Sequence, residues 1–176
     1  MRPPLNKQRL LRFLKEFGSS IPGKGNIYLT GGATALLHDW REMTVDVDIK
    51  ADPEPQGFFE TIAQLKDSFP INIELASPDL FIPPLPDWKQ RSIFIAQHGN
   101  IDFYHYDLYS QALAKLERAH PRDLDDVENM HDHHLIKSPL LLDLFTQIED
   151  DLKKYPTIEA SALRTTIHQW CEQHPA

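Results

Sequence analysis

Ile27-Tyr28-Leu29-Thr30-Gly31-Gly32, followed after thirteen residues by Asp46-Val47-Asp48, decides how this chain is read. The apolar run ending at Thr30 predicts a strand, and the glycine pair a tight turn into a short helix. Val45 to Lys50 predicts a second strand. Residues two apart on a strand point to the same side, so Asp46 and Asp48 share a face. Two like-charged carboxylates repel unless a cation lies between them. Mg²⁺ suits that place, because it takes one or two carboxylates together with phosphate oxygens. A glycine turn nearby can present backbone N–H groups to those phosphates. The pair of elements points to metal-assisted chemistry on a nucleoside triphosphate. The alternation of Val45, Val47 and Ile49 with the two acids is also what a plain amphipathic strand gives, so parity alone does not separate the two readings.

The rest of the chain sets bounds. At 176 residues it is long enough for a real core, and 41% hydrophobic content is ordinary for a globular protein. No apolar run reaches the length of a membrane span, and the N-terminus has no signal-peptide core, so no membrane association and a cytoplasmic location are expected. The single cysteine, Cys171, excludes a disulfide framework and a zinc ribbon. A net charge of −8 argues against bulk DNA or RNA binding, although a local basic patch could still hold a nucleotide or a tRNA end.

Outward from the opening motif, the pattern predicts a helix from Asn6 to Phe17 stopped by Gly18, and a helix over Gly57 to Phe69. A strand is expected over Ile71 to Leu75. The proline-rich stretch Ser77 to Gln90 is expected to be irregular. Arg91 to Gln97 and Ile101 to Tyr106 flank His98-Gly99-Asn100 as a hairpin. Four helices follow, capped by Asp107, begun at Pro121, capped by Ser138 and capped by Thr157. The expected fold is α+β: a small mixed sheet of about five strands flanked by helices, with a helical C-terminal half. The domain division expected is 1–136 for the sheet-bearing domain and 137–176 for C-terminal helices packed on it.

The ordered residues resemble the polymerase-β-type nucleotidyltransferase superfamily, whose pattern is a hydrophobic strand, Gly-Gly or Gly-Ser, then Asp-x-Asp. Leu29-Thr30-Gly31-Gly32 with Asp46-Val47-Asp48 carries that pattern, with Arg41 and Thr44 between. The stretch is similar to the AbiEii toxins and related minimal nucleotidyltransferases. Lys115-Leu116-Glu117-Arg118 with Arg122-Asp123-Leu124-Asp125-Asp126 resembles their helical motif. Phe81 to Trp88 and His105 to Leu113 resemble the branch of unknown function labelled DUF6036. The resemblance implies transfer of a nucleoside monophosphate from an NTP to a protein or RNA acceptor, with two Mg²⁺ ions held by three carboxylates. A role in a toxin–antitoxin or defence pair goes with it. It implies Asp46 and Asp48 as metal ligands, and Gly31, Gly32 and Thr44 at the triphosphate. Asp102 is the expected third ligand, with Asp107 and Glu74 as alternatives. Lys115 is expected at the phosphates, and Asp123 or Asp126 orients it or meets the acceptor.

Other readings stay open. An idle nucleotidyltransferase fold could serve as a binding partner or antitoxin. A small-molecule acceptor of cationic character would suit the acidic chain. Lys115, Arg118, Asp123 and Asp126 have the spacing of a solvated helix surface. His131-Asp132-His133-His134 lacks a second ligand cluster and suits a helix C-terminus. His105 is read as part of the strand-to-helix junction.

Overall fold

The computed structural model describes residues 3–176. The fold is α+β, as the order of predicted elements requires. Five strands, β1 (Gly25–Thr30), β2 (Asp46–Ala51), β3 (Asn72–Glu74), β4 (Ile93–His98) and β5 (Ile101–His105), form one mixed sheet in the order β3-β2-β1-β5-β4. β1 is antiparallel to β2 and parallel to β5, β2 is parallel to β3, and β4 and β5 make the expected antiparallel hairpin. The helices are α1 (Lys7–Ser20), α2 (Gly31–Leu37), α3 (Phe58–Leu65), α4 (Trp88–Arg91), α5 (Leu108–Arg118), α6 (Pro121–Asp132), α7 (Ser138–Ile148) and α8 (Ala160–Gln173). The chain divides into two compact units. One holds the chain up to Ser77 with Ser92–Tyr106, the other Pro78–Arg91 with Asp107–Ala176. The expected boundary at 136/137 falls inside the second unit.

In the first unit, strand alternation sorts the sheet into two faces. Ile27, Leu29, Val47, Ile49, Ile101 and Phe103 are buried in one cluster with Leu10, Phe13, Leu14 and Phe17 of α1 and Phe58 of α3. Phe17 lies 5.2 Å from Phe13 and 5.8 Å from Phe58, ring to ring. Each such buried side chain contributes about 1.5–3 kcal/mol of transfer free energy. Gly18 does not stop α1, contrary to the sequence expectation; the helix runs two residues further. A Cβ at Gly18 would come within 2.7 Å of His98 Cβ and the His98 carbonyl, so the glycine is there for the close approach of α1 to β4.

The second unit is helical, with Leu113, Leu116, Val127, Leu141, Phe145 and Ile167 among its buried residues. Asp107 caps α5 as expected, accepting from the Tyr109 amide at 3.2 Å. The other two caps differ. Ser138 is the first residue of α7 rather than its cap, and its hydroxyl donates to the His174 carbonyl. Glu159, not Thr157, caps α8 through the amides of Ser161 and Ala162. The proline-rich stretch is irregular except for a 3₁₀ turn at Pro78–Leu80 and the one-turn α4. Among the described residues no helix is long and apolar enough to cross a membrane.

Candidate functional site: an acidic strand beside a glycine turn

The sheet face opposite the core carries the acids. Burial along β2 alternates as the sequence predicts, with Val47 and Ile49 buried and Asp46 and Asp48 half-buried. Antiparallel pairing sets Asp48 against Thr30, the residue just before the glycine pair. Gly31 has φ +58°, and a Cβ there would stand 2.8 Å from Asp48 Oδ2. Only glycine adopts that conformation at little cost, so the turn and the carboxylate meet because position 31 has no side chain. A Cβ at Gly32 would collide with Thr44 Oγ1 and would lie 3.4 Å from Arg41 Nη1. Thr44 Oγ1 in turn donates to the Asp46 carbonyl at 3.1 Å. The fold therefore gathers Gly31, Gly32, Thr44, Asp46 and Asp48 into one corner of the first unit.

The expected third carboxylate is elsewhere. Parallel pairing of β1 with β5 puts Asp102 in register with Asn26. Asn26 lies four positions from Thr30, so Asp102 shares the face of Asp48 but is displaced by roughly 13 Å along the strands. Asp107 is fully buried and committed to other partners: it accepts from Arg91 Nη2 at 2.9 Å and from Ser110 Oγ at 2.8 Å. Glu74 is the neighbour that register favours. β3 pairs Asn72 with Asp46 and Glu74 with Asp48. The Asn72 Nδ2 amide donates to Asp46 Oδ1 and to Glu74 Oε1, each at 2.8 Å. Two carboxylates from adjacent strands thus aim at one point, now held by an N–H₂ group. Among the described residues no three His, Cys, Asp or Glu side chains form a set able to hold a metal ion. The donor set present, strand carboxylates Asp46 and Asp48 beside a glycine turn, fits a Mg²⁺ that completes its shell with substrate phosphates rather than one caged by protein.

Behind the turn sits a buried histidine. His105 Nδ1 is 3.1 Å from Thr34 Oγ1, and that hydroxyl donates to the Leu29 carbonyl at 3.2 Å. The imidazole therefore donates through Nδ1. Burial first, and the neighbouring His38 ring second, push the His105 pKa down to about 3, so the ring is neutral. It ties β5 to the underside of α2.

Lys115 and Asp123 belong to the second unit. Lys115 Nζ reaches Asp126 Oδ2 at 2.7 Å and Asp123 Oδ1 at 3.3 Å, and all three side chains are at most 6% exposed. Arg118 adds a bidentate pair to Asp123, at 2.9 and 2.7 Å. Burial acts to raise the Asp123 pKa, but the Arg118 hydrogen bond and the Lys115 charge outweigh it and hold the carboxyl below its usual value. Two cations and two carboxylates compensate each other across the α5–α6 turn. The solvated helix surface that the spacing suggested is not what the chain makes: Lys115, Asp123 and Asp126 are buried, and only Arg118 of the set is half-exposed. Asn72 and its bridging amide were not singled out from sequence; the alternation Asn72-Ile73-Glu74 beside an acidic strand was the available signal.

The family described as "Nucleotidyltransferase of unknown function (DUF6036)" matches residues 9–174. The chain belongs to this family. No curated protein and no solved structure matches it.

Proposed function

We propose that this family member transfers a nucleoside monophosphate from a Mg²⁺-bound NTP to a hydroxyl on a protein or RNA acceptor, breaking the α–β phosphoanhydride bond, forming a phosphodiester and releasing pyrophosphate and the hydroxyl proton. The observation that carries the reading is the meeting of Gly31 with Asp48, with Asp46 alongside. Asp46 and Asp48 would hold the cation, and Glu74, which shares the Asn72 amide with Asp46, would take the place expected of Asp102. Bound Mg²⁺ supplies charge neutralisation at the transferring phosphoryl group and polarises it. Gly31 and Gly32, whose missing side chains make room for Asp48 and Thr44, bring the turn's backbone next to the carboxylate that would hold the cation, where the triphosphate would lie. Thr44, hydrogen-bonded to the Asp46 carbonyl, keeps the loop wall fixed beside them. Lys115 and Asp123 hold the second unit's helices together in this reading and do not touch phosphate.

Incubation of the whole chain with labelled NTPs, Mg²⁺ and cell lysate tests the proposal. Labelled protein or RNA is expected, and an Asp46→Asn/Asp48→Asn double variant is expected to lose it. Equal labelling by the double variant overturns the assignment. Absence of any Mg²⁺-dependent NTP binding by the wild type, with co-purification of a protein partner, replaces it with the idle, antitoxin-like reading.

A further inference from the structure

We propose that the groove between α1 and the turn that ends α3 binds a free mononucleotide, separately from the acidic face. Both helices pack on the core face of the sheet, so the sheet lies between this groove and the Asp46–Asp48 side. The groove encloses about 390 Å³, a size found among small-ligand sites. One wall is a stripe of α1. Arg9, Arg12 and Glu16 follow at intervals of three and four residues, which sets them on one helix face. The other wall is Leu65, Ser68 and Phe69. The Phe69 amide donates to the Leu65 carbonyl at 2.8 Å and closes that turn. The Phe69 ring meets Phe13 edge-on at 5.8 Å, which anchors the wall on the core, yet Leu65 and Phe69 are only partly buried.

The charges on the stripe are not used up by the protein. Lys7, on the same helix, is paired with Asp39 at 2.8 Å. Arg9 Nη1 donates to the Pro4 carbonyl at 3.1 Å, which positions the guanidinium and leaves its other N–H groups for a ligand. Arg12 is exposed, and neither it nor Glu16 makes an ion pair or hydrogen bond with a described residue, although they stand four apart. In a chain of net charge −8, two adjacent guanidinium groups are a local site for an anion. Their forked donors match the oxygens of a phosphate monoester, and the Phe69 and Leu65 wall matches a flat base. The order of charge along the stripe selects one nucleotide rather than a strand. From Arg9 to Glu16 the helix rises about 10 Å, with the cations at one end and the carboxylate at the other. That carboxylate repels the next phosphate of a polynucleotide, whereas it accepts from the N–H groups of a single base.

Calorimetric titration of the whole chain in EDTA tests the groove while any magnesium-dependent site is silent. The probes are the four ribonucleoside 5′-monophosphates, the parent nucleoside of the tightest binder, and a short single-stranded RNA. One monophosphate or more is expected to bind, and the nucleoside to bind about tenfold more weakly. Arg12→Ala, at an exposed position that should not disturb folding, is expected to weaken the monophosphate about tenfold and to leave the nucleoside unchanged. Arg12→Lys should recover only part of the loss. The Asp46→Asn/Asp48→Asn variant is expected to bind like wild type. The proposal is overturned if Arg12→Ala binds the monophosphate like wild type, or if the nucleoside binds as well as the monophosphate. Loss of binding in the Asp46→Asn/Asp48→Asn variant overturns it by moving the ligand to the acidic face. Tighter binding of the RNA, lost in Arg12→Ala, overturns it in favour of a strand-binding surface. Wild type that binds no monophosphate in EDTA overturns it and leaves the magnesium-dependent reading of the acidic face untouched.

Discussion

Two sets of carboxylates sit in the two units, and they are built on opposite principles. Asp123 and Asp126 are buried and matched one for one by Lys115 and Arg118. Asp46 and Glu74 stand on a strand face and are bridged by a neutral amide, which satisfies hydrogen bonds but cancels no charge. Buried carboxylates compensated in this way are costly to disturb. A half-exposed pair held by an amide can exchange that partner for a cation. Charge at familiar motif positions is therefore compensated by cations in one unit and bridged by an amide in the other, which is where the proposed function places the metal.

The contrast is most easily broken through Lys115. Lys115→Met leaves Asp126 buried without its cation and should cost about 3–5 kcal/mol in urea unfolding. A loss below 1 kcal/mol would mean that the network is not closed to water. Acid is the next lever. His105 binds a proton readily when unfolded but hardly at all when folded, so its contribution is complete above pH 6.5 and disappears as pH falls toward 3. The slope from this one group approaches about 1.4 kcal/mol per pH unit. Asp123, with its lowered pKa, adds loss in the same direction below the usual carboxylate value. Thermal melts from pH 7 to 4 should show the trend, and His105→Gln should flatten its upper part.

Smaller effects test the acidic face. Gly31→Ala must adopt the left-handed region and crowd Asp48, which should cost about 1–2 kcal/mol and also weaken Mg²⁺-dependent NTP binding. Asp46→Asn and Asn72→Ala should each change stability by no more than about 0.5 kcal/mol. If Asp46→Asn destabilises as strongly as Lys115→Met, the two acid sets are alike and the distinction fails.

The strand, glycine turn and acidic strand were legible because each rests on local pattern: period two, a residue without Cβ, and two acids of equal parity. Asp102 was misplaced because parity gives the face but not the position along it. Its position is set by the register of β5 against β1, which is a long-range pairing. Glu74 was visible as an acid on a strand, but only the β2–β3 register makes it the neighbour of Asp48. The Lys115 network was hidden for a related reason. Its members lie on two helices, and the left-handed Ala119 at their junction decides that they face one another. The displaced caps at Ser138 and Thr157 show that several polar residues near a helix start are equivalent until the chain's direction is known.

The tip of the β4–β5 hairpin is the kind of place where an epitope tag or a permuted terminus is usually inserted. In this protein it is a poor choice. A Cβ at Gly99 would lie 2.8 Å from the Gly18 carbonyl, in mirror of the contact that Gly18 makes with His98. The Asn100 carbonyl also accepts from the Gly25 amide at 3.3 Å, which fastens the tip to the start of β1. Inserted peptide would lever the end of α1 away from the sheet, so a reporter placed there would measure its own damage.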